Sequence, residues 1–358
     1  MQFHEHPHEH PHSHEPVVSR RDALRIGGIG LGGLLLAACA PSRSASSTSV
    51  TQTVPLSTTT EALASTTSLA TTASSDVTTT LASLTTLPGF DEFASTVKVI
   101  TRGDYWLVES NGIPAHNMMV GITSWQQQVP IPMSYTGSNA WQIPKYPKLA
   151  DNPISAKTQL YRGAIALAVN GVPIFNALNN RGDDAFLFGE LDQWGGHSGK
   201  ADDYHYHIAP LHLSNIVGTK KPIAYALDGF AIYGSTEPDG GAMKKLDEYN
   251  GHIGTDGVYH YHGTTTYPYI NGGMRGIIRG VVGDQVDPQP TTKPIREAGM
   301  PLQGATITDF SSRTSNQYAL EYSVGGKTGL VEYVVTSSKV AFTFTSPSGV
   351  VTTETYSR

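Results

Sequence analysis

Up to about residue 88 the chain shows no period of hydrophobic positions that would suit a packed element; beyond it, short apolar runs alternate with polar positions at the spacing of β-strands. Residues 97–100 and 105–108 read as two strands parted by an Arg102-Gly103-Asp104 turn. Residues 161–169 and 172–175 are apolar and joined through Asn170-Gly171, a hairpin signal. Residues 223–227 and 230–233 repeat that texture around Asp228-Gly229. After Pro294, alternation of Ser, Thr and Val picks out 318–323, 330–336, 340–344 and 350–356, with Gly-Gly and Ser-Gly turns between them. No apolar repeat at helical spacing runs beyond a few turns. The pattern predicts a mainly β fold: an antiparallel, sandwich-like domain with an internal duplication over 89–295, then a C-terminal β meander over 296–358.

The duplication is visible in the residues themselves. Asn170-Gly171-Val172-Pro173-Ile174-Phe175-Asn176 matches Asp228-Gly229-Phe230-Ala231-Ile232-Tyr233-Gly234 in pattern. Downstream, Gly196-His197-Ser198-Gly199 precedes Tyr204-His205-Tyr206-His207, and Gly251-His252-Ile253-Gly254 precedes Tyr259-His260-Tyr261-His262. The step from His197 to His205 equals that from His252 to His260, so the match has no gap over that stretch.

Side chains alternate faces along a strand, so His205 and His207 share one face and Tyr204 and Tyr206 the other; the same holds for His260 and His262. Two imidazoles about 6.6 Å apart along a strand can turn onto one metal ion, and His197 or His252, placed on Gly-flanked loops, could supply a third ligand. Histidines satisfied by main-chain carbonyls are common, and one alone would carry little. Here the chain has 14 histidines, six of them ahead of Arg20; of the other eight, six fall in the duplicated motif. A transition metal, copper or zinc, is the expected cofactor, bound once across the halves or once in each. His116 and His212 read as structural. Asp228 is read mainly as a turn residue, with a general-base role as its weaker alternative; Asp202, Asp203 and Arg275 carry less signal still.

Composition changes the picture at the front of the chain. Residues 40–88 are roughly half Ser and Thr and nearly free of charge, which predicts a disordered stalk. Ahead of it, Ser19-Arg20-Arg21-Asp22-Ala23-Leu24-Arg25 resembles a twin-arginine export signal. An apolar stretch too short to span a bilayer follows and ends in Leu36-Ala37-Ala38-Cys39, which resembles a lipoprotein cleavage and acylation site. Residues 1–39 are therefore expected to be a signal segment, and Cys39, the only cysteine, to carry a lipid that holds the protein on the outer face of a cell-envelope membrane. The alternating His4–His14 tract lies in the part expected to be removed. A net charge of −6 with no Lys/Arg cluster excludes nucleic acid as a partner.

At Tyr225-Ala226-Leu227-Asp228-Gly229-Phe230-Ala231-Ile232-Tyr233-Gly234, Asn250-Gly251-His252 and the two Tyr-His-Tyr-His segments, the chain resembles the YHYH domain family over roughly 160–282. The resemblance implies a domain but no settled reaction. It also implies cysteines where this chain has Tyr249 and Gly273, so a disulfide there is absent. The leading expectation is an extracytoplasmic lipoprotein with a duplicated histidine metal site. One alternative is a metal-dependent hydrolase or oxidase of the envelope. The other is a metal-free module binding a glycan or small molecule on an aromatic platform that includes Trp141 and Trp194.

Overall fold

The computed structural model describes residues 87–358. The signal segment, Cys39 and the stalk as far as residue 86 lie outside them. Leu87 and Phe90, at the start of the described residues, are both buried. Strands β1 (Lys98–Arg102) and β2 (Tyr105–Glu109) form the expected hairpin, closed by Gly103. Two strands the pattern did not reveal follow: β3 (Trp141–Pro144), which pairs with β2, and β4 (Leu149–Ser155). β4 carries a proline and a charged residue in a run with no buried position, so its sequence has no clean alternation.

The central sheet holds both copies of the repeat. The first contributes β5 (Ala164–Ala168), β6 (Pro173–Phe175), β7 (Gly196–Ser198) and β8 (Tyr204–Tyr206). The second contributes β9 (Ala224–Ala226), β10 (Ala231–Tyr233), β11 (Gly251–Ile253) and β12 (Tyr259–His262). Their order is β11-β12-β10-β9-β5-β6-β8-β7, which meets equivalent strands from either end. A pseudo-twofold axis thus passes between β5 and β9, whose antiparallel register sets Ala166 against Ala226 and Ala168 against Ala224. Both central strands are alanine-rich and wholly buried, as expected of strands covered on two faces. The two hairpins close alike: Gly171 N–H donates to Ala168 and Ala168 N–H to Val172, while Gly229 N–H donates to Ala226 and Ala226 N–H to Phe230. The sheet is mixed, because β6 runs parallel to β8 and β10 parallel to β12.

Beyond it lie β13 (Gly273–Gly276), paired with β4, and the small hairpin of β14 (Gly280–Val282) and β15 (Gln285–Asp287). The C-terminal meander has five strands in sequence order: β16 (Ala305–Thr314), β17 (Gln317–Val324), β18 (Lys327–Val335), β19 (Lys339–Thr345) and β20 (Val351–Ser357). Four of them were expected. β16 escaped because register shifts between Ile307 and Asp309 and between Ser312 and Thr314 reset the in–out phase along it. The meander packs on the first part of the domain: Trp125 and Tyr322 rings lie 5.0 Å apart, and Arg296 forks onto Asp202 at 2.7 and 2.8 Å. One buried cluster runs through both parts. Among the described residues no helix is long and apolar enough to cross a membrane.

Candidate metal centres

The expected division of faces is what the structure shows. Tyr204, Tyr206, Tyr259 and Tyr261 point into the core, and the histidines between them point the other way and are buried as well. Tyr204 donates to Asp192 at 2.7 Å, and in the second copy Tyr259 donates to Asp247 at 3.0 Å. His197 and His252 differ from expectation. They sit on strands β7 and β11, directly across from His205 and His260 in the antiparallel ladder. Cross-strand neighbours have Cβ atoms about 5 Å apart. Each histidine set is therefore built from positions i and i+2 of one strand and the facing residue of the next. The glycines of Gly-His-x-Gly make room for it: a Cβ at Gly199 would come within 2.7 Å of the His205 ring, and one at Gly254 within 3.0 Å of the His260 ring.

The two copies do not converge on one centre. β8 and β12 are separated by five strand spacings, roughly 24 Å, so no ion is shared across the halves. Within the first set, Nε2 of His207 lies 3.2 Å from Nε2 of His205 and 3.1 Å from Nε2 of His197. Within the second, Nε2 of His262 lies 3.1 Å from that of His260 and 3.3 Å from that of His252. The second set has a further member that the motif did not indicate. Glu237, buried, reaches His252 Nε2 at 3.0 Å, His260 Nε2 at 3.3 Å and His262 Nε2 at 3.6 Å. Tetrahedral zinc with bonds of 2.0–2.1 Å has ligand–ligand edges of about 3.3–3.4 Å. Both sets are groups that could hold a metal ion.

The other ring nitrogens fix the tautomers. Nδ1 of His205 meets the Asp203 carbonyl at 2.9 Å, that of His207 the Asn176 carbonyl at 2.5 Å, that of His252 the Ile253 carbonyl at 3.1 Å and that of His262 the Gly234 carbonyl at 2.7 Å. A carbonyl oxygen only accepts, so each Nδ1 carries the ring proton and each Nε2 of a neutral ring presents a lone pair. The close Nε2 pairs His205–His207 and His252–His262 then set lone pair against lone pair, which only a proton or a cation between them relieves. Protonation is disfavoured. Burial first, then the charge of His197, lowers His207 to about 3. Burial lowers His197 to about 4, and burial with the charge of His197 and His207 holds His205 well below the ordinary histidine value. His260 and His262 are lowered too, burial again leading. Burial works to raise the Glu237 carboxyl, but the Lys244 N–H and three imidazoles outweigh it and keep it below the ordinary range.

Asp228 lies away from both sets, on the tyrosine side of the sheet. Its carboxylate accepts from Tyr261 at 2.5 Å, Gly276 N–H at 2.8 Å and Phe230 N–H at 3.1 Å, the last being the turn bond expected of it. Asp228 is fully buried, and none of these partners belongs to either histidine set. His116 is structural as expected, accepting or donating at Tyr206 Oη (2.7 Å) and stacked 4.8 Å from Trp194, with His212 edge-on. The aromatic platform is not formed, because Trp141 is buried in the core and Trp194 is taken up by these two rings. Tyr249 and the Gly272–Gly273 pair lie side by side, Gly272 N–H donating to the Tyr249 carbonyl at 2.8 Å. A signal for Glu237 existed in the repeat: it aligns with Asn179, and a carboxylate facing an amide at equivalent positions marks a difference between the copies.

Residues 140–245 match the family model described as YHYH protein. This stretch is a YHYH domain. The match takes in the first histidine set and Glu237 and ends before His252, so the second Tyr-His-Tyr-His segment lies outside it. No curated protein and no solved structure matches the chain.

Proposed function

We infer that the protein binds two divalent transition-metal ions, one in each copy of the repeat, in a domain exported from the cytoplasm and tethered by a lipid on Cys39. The ligands are His197, His205 and His207 in the first copy, and His252, His260, His262 and Glu237 in the second. One observation carries this reading: in each set three Nε2 atoms are gathered with neighbours at 3.1–3.3 Å, the edge of a tetrahedral shell, and in His205, His207, His252 and His262 the ring proton is held on Nδ1 by a carbonyl. Three imidazoles with the Glu237 carboxylate make a four-ligand set of the kind that suits zinc. Elemental analysis of the exported protein tests it. Two equivalents are expected in the wild type, one in His205→Ala, one in His260→Ala and none in the double variant. Two equivalents retained in the double variant would refute the ligand assignment.

A second reading, a metal-dependent hydrolase or oxidase, is favoured by one observation. A cavity of about 470 Å³ is lined by His197, His205 and His207, room for a small substrate beside an ion-activated water. Turnover would then be lost in His205→Ala and kept in His260→Ala.

A further inference from the structure

We propose that the two copies have divided the work: the Glu237 set holds its ion in a closed shell, while the first set keeps one coordination position open to the cavity and takes a small organic carboxylate there. This rests on the two-ion reading above and adds what each site does.

The asymmetry begins at one pair of equivalent positions. Where the second copy has Glu237, the first has Asn179, and the surrounding main chain is the same: Asn179 N–H donates to Asp183 and Glu237 N–H to Gly241. The Asn179 side chain is turned from the imidazoles. Its Nδ2 donates to Glu190 at 3.1 Å and its Oδ1 accepts from the N–H groups of Arg181 and Asp183. The first set is thus three imidazoles with no carboxylate among the grouped ligand atoms, and the second is three imidazoles and one carboxylate. Four protein ligands make a closed shell, whereas three leave a position for an outside molecule.

Space and charge follow the same division. The first set lines the cavity of about 470 Å³; the second lines neither that cavity nor the one of about 360 Å³ beneath the meander. Three neutral imidazoles leave the double charge of the ion uncompensated, which favours an anion in the open position. Arg162, Arg181 and Lys200 add positive charge to the lining. Two carboxylates line it as well. Glu190 is paired with Arg181 and Asn179, and Asp203 lies 3.7 Å from the His205 ring.

A second difference points to an organic rather than an inorganic anion. From the isolated bridge residue to the tyrosine-bound aspartate is eight positions in the first copy (Asp184 to Asp192) and five in the second (Ala242 to Asp247). The three added residues coincide with Phe186-Leu187-Phe188, all exposed. The Phe188 carbonyl is held by Ser124, a residue of the cavity lining, so the added segment forms an apolar lip beside the cavity. Phe175, stacked 3.8 Å over His205, gives the interior an apolar wall.

The test uses full-length protein loaded with cobalt(II), whose visible spectrum reports coordination number, titrated with benzoate and with acetate. Benzoate should alter the spectrum of one of two bound ions and bind at least tenfold more tightly than acetate. The change should persist in His260→Ala and be lost in Asn179→Glu, which supplies the missing ligand. Two bound cobalt ions with no response to benzoate, or a response undiminished in Asn179→Glu, would overturn the division while leaving the two-ion reading intact. Cobalt bound at neither set would overturn both.

Discussion

The domain holds two pairs of imidazoles, His205 with His207 and His252 with His262, whose Nε2 lone pairs face each other at 3.2 and 3.3 Å. Adding zinc should therefore stabilise the fold by a measurable amount. An ion at one hundred times its dissociation constant contributes about 2.7 kcal/mol per site. Two independent sites roughly 24 Å apart should add, to about 5.4 kcal/mol. At about 2–4 °C per kcal/mol for a domain of this size, the melting temperature should rise by about 10–20 °C. The assay is calorimetry of chelator-stripped protein titrated with zinc. His205→Ala and His260→Ala should each keep roughly half the rise, and the double variant none. A wild type that melts at the same temperature with and without zinc, or a double variant that rises as the wild type does, would refute the reasoning.

Other consequences can be checked separately. In the metal-free protein His197 takes up its proton only near 4 and His207 near 3, whereas a free histidine does so near 6.5. The unfolded chain binds more protons between those values, so stability should be complete above about 6.5 and fall as pH drops toward 4; a urea midpoint flat across that range would contradict the burial argument. Tyr261→Phe removes the donor to Asp228 at 2.5 Å and the acceptor of Arg275 N–H at 2.7 Å. It should cost about 1–3 kcal/mol in a denaturant melt with metal content unchanged, and a loss of metal would argue against the separation of the two faces. Gly273→Ala would press a Cβ onto the Ile154 carbonyl at a φ of 138° and should destabilise by more than about 1 kcal/mol. A melting curve like that of the wild type would show that the strand pair around it yields. Cys39→Ser should move the exported protein from the membrane fraction to the soluble one, and unchanged fractionation would refute the lipid anchor.

Much of this site was legible in the residues. Alternation along Tyr204-His205-Tyr206-His207 and Tyr259-His260-Tyr261-His262 assigns imidazoles to one face and phenols to the other, because a strand has a side-chain period of two. The gap-free repeat of Gly-His-x-Gly identified the third histidine of each set. Local pattern could not show that His197 and His252 stand on paired strands, since that depends on which strand lies next to which. Nor could it place Glu237, far along the chain from His260 and brought to it by the parallel pairing of β10 with β12.

What the sequence by itself determined is the composition of each half: apolar strand runs, two histidine motifs that alternate with tyrosine, and the residues that turn between them. Only the tertiary structure decided that the halves meet back to back through β5 and β9, leaving their motifs near opposite ends of one sheet as two centres rather than one. The physical reason is that faces and turns are local properties of a chain, while strand order is chosen by which apolar runs can bury each other. The alanine-rich strands win the middle, and the histidines are carried outward with the strands that follow them.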